Sequence, residues 1–338
     1  MKIFNYIIFI SLIFLQLKVQ AQLIPNLGGQ RAGTSAFTFL KLSTSPKQTA
    51  MGGAQIAVPG DGFAANVNPA SIIDVNNLTF SLSNTTYISN INNSFLGVVI
   101  PTKNNNTFAV HLQTLRTDAI KKRTEFQPDG TGEFYYSSNL AAGVSFARKL
   151  SDYFSYGVSG RYINEYLDTY SVHSAVLDLG FLYKTDFKEL KFAVLLNNFG
   201  VNSKIDGETK RITTFGNPNR TTESYSPPTI FKIGVSAVPL RKDRHVLLVA
   251  AELHHPNDNS ENIRLGVEYE YMELFAFRAG YKIGIDDQPY PTFGFGLKTR
   301  IGKNPLRIEY AAEPYQNLGF TNQIGIQLGL TKKTIQSN

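Results

Sequence analysis

The densest group of ligand-type side chains in this 338-residue chain is Glu252, His254, His255 and Asp258, in the run AELHHPNDNSE. Such side chains can ligate zinc. No helical spacing brings two histidines to i, i+4, however, and His-Pro-Asn-Asp is turn chemistry at the end of a strand. Other reactive constellations fare no better. Gly157 to Gly160, GVSG, lacks the Gly-x-Ser-x-Gly spacing and lies within a strand pattern rather than at a strand-to-helix elbow. His111 and His173 stand alone on alternating segments and read as lumen or packing residues. Asp286 and Asp287 fall in an expected loop, with no cleft to divide acid from base roles. No catalytic residue, no metal ligand and no cofactor is therefore expected.

The stretch AMGGAQIAVPGDGFAANVNPASI, Ala50 to Ile72, has the glycine content of a phosphate cradle. It matches neither Gly-x-Gly-x-x-Gly nor Gly-x4-Gly-Lys-Ser/Thr, and no lysine or arginine occurs between Lys47 and Lys103 to meet an anion. Its residues read better as architecture. Gly52 and Gly53 permit close backbone approach, and Asn68-Pro69 is expected to end the segment before a first strand.

What must hold these residues is set by the rest of the chain. Lys2 precedes an apolar run from Tyr6 to Leu17, and Val19-Gln20-Ala21 is a small-residue cleavage pattern, so residues 1–21 read as a secretory signal peptide. Its removal leaves 31 basic and 26 acidic groups, an excess too mild to imply nucleic acid. The chain has no cysteine, so an exported protein of this size needs a large core or a closed barrel rather than disulfide staples. No later apolar run approaches spanning length, and mean hydropathy is −0.14. Helical membrane proteins are excluded, whereas a membrane β-barrel is compatible, because its two faces average out.

From about residue 77, apolar and polar residues alternate in fourteen segments, as in TFAVHLQTL, NIRLGVEYEY and TFGFGLK, with the second face polar or glycine. The expected strands cover roughly 77–83, 94–100, 107–115, 139–147, 154–164, 173–184, 191–199, 229–238, 245–253, 263–271, 274–282, 292–299, 305–312 and 322–330. Connections alternate in length, about 10, 23, 8, 30, 9, 9 and 9 residues against about 6, 6, 8, 6, 2 and 5. Short turns at one end and long loops at the other are the outer-membrane pattern, whereas a soluble sandwich gives no reason for the asymmetry. The fold expected is all-β, a transmembrane barrel of about fourteen antiparallel strands with an N-terminal plug.

If the apolar face meets lipid, the inward face carries Arg161, Asp178, Lys232, Arg264, Glu268, Glu270, Arg278, Lys282, Lys298, Arg307 and Glu309. A cation facing mid-bilayer would cost about 2–4 kcal/mol, so these groups must point inward and form ladders there. Tryptophan is absent, so an aromatic girdle falls to residues such as Tyr156, Tyr162, Tyr269, Tyr271 and Tyr281.

The segment FLKLSTSPKQTAMGGAQIAVPGDGFAANVNPASI, Phe39 to Ile72, resembles the N-terminal hatch of FadL-type outer-membrane barrels, and more closely the PorV/PorQ family of Bacteroidota. SAVLDLGFLYK, LLNNFG, HPNDNSENIRLGVEYEY, FRAGYKIG and RIEYAAEPYQNLG extend the likeness along the chain. The resemblance implies a FadL-like barrel in the cell outer membrane that serves the type IX secretion system without enzymatic activity. Its implied partners are outer-membrane lipid, secretion-system proteins and the C-terminal signal domains of cargo. Only the hatch carries over by residue, as Met51, Gly52, Gly53, Asn68 and Pro69 in a structural role. The expected organisation is a signal peptide over 1–21, a hatch over 22–76, a barrel over 77–330 and a tail over 331–338. The loops at about 116–138 and 200–229 are the expected contact surfaces. An alternative function is FadL-like transport of hydrophobic small molecules, which needs an apolar pocket near the hatch and an exit.

Overall fold

A computed structural model describes residues 33–102, 104–204, 224–285, 287–317 and 319–331. The expected leader, the tail beyond 331, Asp286 and the middle of the second long loop lie outside the described residues.

Fourteen strands close into one antiparallel barrel. They are β1 (Leu78–Thr86), β2 (Asn92–Pro101), β3 (Asn106–Arg116), β4 (Ser137–Lys149), β5 (Phe154–Leu167), β6 (Tyr170–Lys184) and β7 (Lys191–Gly200). The second half contains β8 (Ile230–Lys242), β9 (His245–Pro256), β10 (Asn262–Tyr271), β11 (Phe275–Ile283), β12 (Thr292–Ile301), β13 (Asn304–Tyr315) and β14 (Gly319–Leu330). Neighbours in sequence are neighbours in the sheet, and β14 returns to β1 with Leu78 opposite Leu330 and Thr86 opposite Asn322. Closure pairs every strand on both sides and leaves no edge.

The alternation is inside-out relative to a soluble protein. In β1, Ser81 and Ser83 are buried while Phe80 and Leu82 stand exposed, and β3 and β14 likewise expose Phe108, Val110, Ile324 and Ile326. A belt of large apolar side chains around a polar interior is stable where the outer medium is hydrocarbon. No helix among the described residues is long and apolar enough to cross a membrane.

The connections correct the expected loop pattern. Those at one end cover 87–91, 117–136, 168–169, 201–229, 257–261, 284–291 and 316–318, against 102–105, 150–153, 185–190, 243–244, 272–274 and 302–303 at the other. The β5–β6 loop, expected at about eight residues, is a two-residue turn, because these strands stay paired up to Leu167 opposite Tyr170. The asymmetry therefore rests on two long loops and on 284–291. Both long loops carry short ribbons at their bases, Ile120–Lys121 with Phe134–Tyr135 and Ser203–Lys204 with Ser224–Tyr225.

Two irregularities interrupt the ladder. The β8–β9 register shifts between Ala237 and Leu240, where Pro239 has no N–H to donate. The β6–β7 register shifts between Leu177 and Leu179, opposite Asn198 at φ 58. Asparagine tolerates that left-handed conformation better than most residues.

Residues 33–76 run through the inside of the barrel. They form short turns of helix at Thr38–Lys41, Pro46–Ala50, Ala64–Val67 and Pro69–Asp74. Ser45 caps the second, accepting from Gln48 N with Pro46 at the first helical position, and Asn68 caps the fourth by accepting from Ala70 N. Hydrophobic clusters form between this segment and the wall, as where Ile56, Ala57, Val67 and Ala70 meet Leu182, Ala193 and Leu195. The core of the molecule is thus the surface between an apolar strap and the inner wall.

Candidate functional site

The five residues singled out in the hatch all lie in this interior. Met51 is fully buried against Gly266 of β10. Gly52 takes φ 65 and donates its N–H to Thr292 Oγ1 at 3.0 Å, while Gly53 takes φ 94 and donates to Gln48 O at 2.8 Å. Gly52 lies on Gly280 of β11 so closely that a Cβ on Gly280 would fall on the Gly52 backbone nitrogen. Asn68 donates from Nδ2 to Ile56 O at 2.8 Å and sits over Gly180 of β6. Pro69 opens the last helical turn, so Asn68-Pro69 starts the final element of the segment instead of ending it. Several inner-face glycines seen as gaps in the alternation, among them Gly157, Gly180, Gly266, Gly280 and Gly294, are landing places for this segment.

All eleven predicted inward charges lie on the interior side, and most are joined in networks. Glu268 receives Lys47 Nζ at 3.0 Å on one oxygen and Arg278 Nε at 2.5 Å on the other. Arg278 NH2 reaches Glu309 Oε1 at 2.8 Å; Gln327 Nε2 donates to Glu309 Oε2 at 3.0 Å and accepts at Oε1 from Gly62 N at 2.8 Å. One network therefore joins both halves of the internal segment to four strands. A second centre is Asp178, whose Oδ1 accepts from Arg161 NH2 at 2.8 Å, Asn197 Nδ2 at 2.8 Å and the Asn198 backbone at 2.7 Å. Arg161 also reaches Asn66 of the internal segment at 3.3 Å. Lys282 pairs with Glu313, Lys298 with Glu270, and Lys184 with Asp74.

Sequence reasoning missed Lys47, Asp61, Asp74 and Glu313. The first three lie in a segment without strand periodicity, and their standing as the three charged residues between Lys41 and Lys103 was the one available signal. Asp61 is buried with Oδ1 accepting from Phe63 N at 2.9 Å and Oδ2 lacking a hydrogen-bond partner. Burial pushes its carboxyl above the usual aspartate range, reinforced by the charge of Glu309.

The metal-like cluster is dispersed by strand alternation. Glu252 and His254 point inward and His255 outward. Glu252 accepts from the Ile56 backbone N–H and shares a 2.8 Å hydrogen bond with His254 Nε2. His255 instead meets Glu261 at 2.8 Å, and Asp258 receives Lys41 of the internal segment at 2.7 Å. Among the described residues no group of three such side chains could hold a metal ion. His111 is buried inside the barrel, and His173 lies on the outer face in a 2.7 Å hydrogen bond with Tyr162.

A cavity of 540 Å³ opens between the internal segment and β8 to β11 at the end bearing the long loops. Lys41, Lys232, His254, Asp258, Glu261 and Arg264 are among its lining residues.

The molecule is thus a closed fourteen-stranded barrel, threaded by a glycine-bearing segment and carrying buried ion networks. Residues 26–180 match the family model of type IX secretion system protein PorV. The resemblance to that family read from the residues is borne out over this stretch, which holds the internal segment and runs into β6. The PorV match stops before β7 to β14, whose likeness to known proteins is structural. The toluene transporter TbuX of Ralstonia pickettii superposes with a TM-score of 0.55 at 12% identity, covering 84% of this chain and 96% of its own. The toluene transporter TodX of Pseudomonas putida gives 0.54 at 12%, covering 85% and 97%. At these identities the likeness shows the fold, the closed barrel that these transporters share, and no more. No curated protein matches the chain in sequence.

Proposed function

We propose that this protein is a non-enzymatic outer-membrane barrel of type IX secretion, acting in protein export or in cell-surface attachment of cargo. In this reading residues 22–76 act as its plug, and the loops at 117–136 and 201–229 contact secretion proteins or cargo C-terminal signal domains. The observation that carries it is the PorV match, because it covers the internal segment that packs against the inner wall. An interior tied to its wall by Lys47, Glu268, Arg278 and Glu309 suits a protein that works through its outer surface and loops. The leader read over 1–21 and the apolar outer belt support an outer-membrane location.

The toluene transporters share the barrel, which favours a channel for hydrophobic molecules as the second reading. The cavity argues against it, because Lys232, His254 and Arg264 line the space where an apolar pocket is needed. Deleting the gene and measuring cargo in the medium and on the cell surface separates the two. Loss of secretion or attachment, restored by the intact gene, is expected; unchanged cargo together with lost uptake of monoaromatic compounds would establish the transporter.

A further inference from the structure

Nearly every cation inside the barrel has an acidic partner within ion-pair distance: Lys47, Arg161, Lys184, Lys191, Arg278, Lys282 and Lys298 each meet a carboxylate. Among the described residues Lys232 of β8, Arg264 of β10 and Arg307 of β13 have no such partner, and of these Lys232 and Arg264 share one cavity. Among the described residues Lys232, only 7% exposed, has a 3.3 Å hydrogen bond to Asn197 Oδ1 and no ion pair. Arg264 uses Nε on Asn262 Oδ1 at 3.1 Å and likewise has no ion pair. The carboxylate of Glu252 on β9, between β8 and β10, is hydrogen-bonded instead to Ile56 N and His254 Nε2. Two sequestered, incompletely neutralised cations are costly unless something else compensates them.

Both line the 540 Å³ cavity, together with His254, whose Nδ1 is buried without a hydrogen-bond partner. Also lining it are Asp258, whose buried Oδ1 has no partner although Oδ2 holds Lys41, and Asp287. The lining thus mixes cations and acceptors with amides and hydroxyls such as Gln48, Asn66 and Ser260, and apolar side chains such as Leu40, Ile230, Ile263 and Ile283 make up the rest. A hydrocarbon would satisfy neither the charges of Lys232 and Arg264 nor the open Asp258 Oδ1 and His254 Nδ1. A molecule with a carboxylate at one end and hydrogen-bond donors at the other would satisfy them.

We propose that this cavity is a binding site for a small hydrophilic carboxylate, with Lys232 and Arg264 taking the carboxylate and Asp258 and its neighbours taking hydroxyl or ammonium donors. The site is independent of the secretion reading and stands or falls separately from it. Isothermal titration of the full-length protein in detergent tests it with D-glucuronate and L-glutamine, which differ in the donor they offer, and with D-glucose and octanoate, which lack one half of the requirement. Binding of glucuronate or glutamine is expected, with glucose and octanoate at least about tenfold weaker. Arg264→Met and Lys232→Met should each weaken binding about tenfold or more. Arg264→Lys, which keeps the charge if the methionine variant does not fold, should weaken it severalfold. Failure of both carboxylates to bind, affinity unchanged in the variants, or tighter binding of octanoate would overturn the proposal.

Discussion

Glu268 shows how much a single interior side chain carries. Its two oxygens hold Lys47 of the internal segment and Arg278 of the wall, and all three side chains are almost fully buried. Removing one partner strands a buried charge. Arg278→Met should therefore lower the unfolding free energy in detergent by about 3–5 kcal/mol, read as a reduced urea midpoint; no change would mean the network is solvated. Asp61 gives a prediction of opposite sign. Its folded carboxyl titrates above the ordinary aspartate value, so the penalty for ionised Asp61 is present above the folded pKa and is relieved as pH falls through it. Asp61→Asn keeps an acceptor for Phe63 N–H, should be more stable than wild type at neutral pH, and should lose that part of the pH dependence. Which charges face inward was legible from strand alternation. Which charge meets which was not, because Lys47 and Asp61 belong to a segment whose path through the barrel has no periodic signature.

At the scale of elements, the fourteen strands were legible because lipid and lumen impose opposite chemistry on alternate residues, as Phe80 and Leu82 against Ser81 and Ser83 show. Loop lengths were less so. Residues 168–169 form a tight turn because pairing continues to Leu167 and Tyr170 regardless of where the apolar alternation stops. The β6–β7 irregularity was also hidden: asparagine favours a left-handed conformation more than most residues, but nothing in NNFG says which of the two takes it, and Asp178, which holds Asn198, is distant in sequence. The fit of segment to wall is testable at Gly280. A valine there collides with the Gly52 backbone, so Gly280→Val should expose residues 33–76 to protease while the barrel keeps its heat-modifiable migration. Gly53→Val should act less severely through the wall, because its Cβ meets the flexible Arg264 side chain, although φ 94 strains the valine itself. On the outer face, Ile324→Arg should cost about 2–4 kcal/mol if that residue lies near the bilayer midplane, measured as reduced folding into vesicles.

For the whole molecule, the fold was legible and the candidate site only partly. The glycine-rich segment resembled a hatch in sequence and does lie within the barrel, but the cavity beside it exists only where β8 to β11 and that segment come together, through residues far apart in the chain. An interior packed this way should not conduct. Planar bilayers containing the protein are expected to show no steady ion current, and deletion of residues 33–76 should produce one; steady current through the intact protein would mean that the segment leaves a pore. The secretion role is tested most directly by affinity purification of the tagged protein from detergent-solubilised native membranes, with mass spectrometry of what accompanies it. Type IX secretion components or cargo bearing C-terminal signal domains are expected in the eluate and should diminish when residues 117–136 are replaced by a short turn. An eluate without them, from membranes in which the secretion system is assembled and active, would contradict the account.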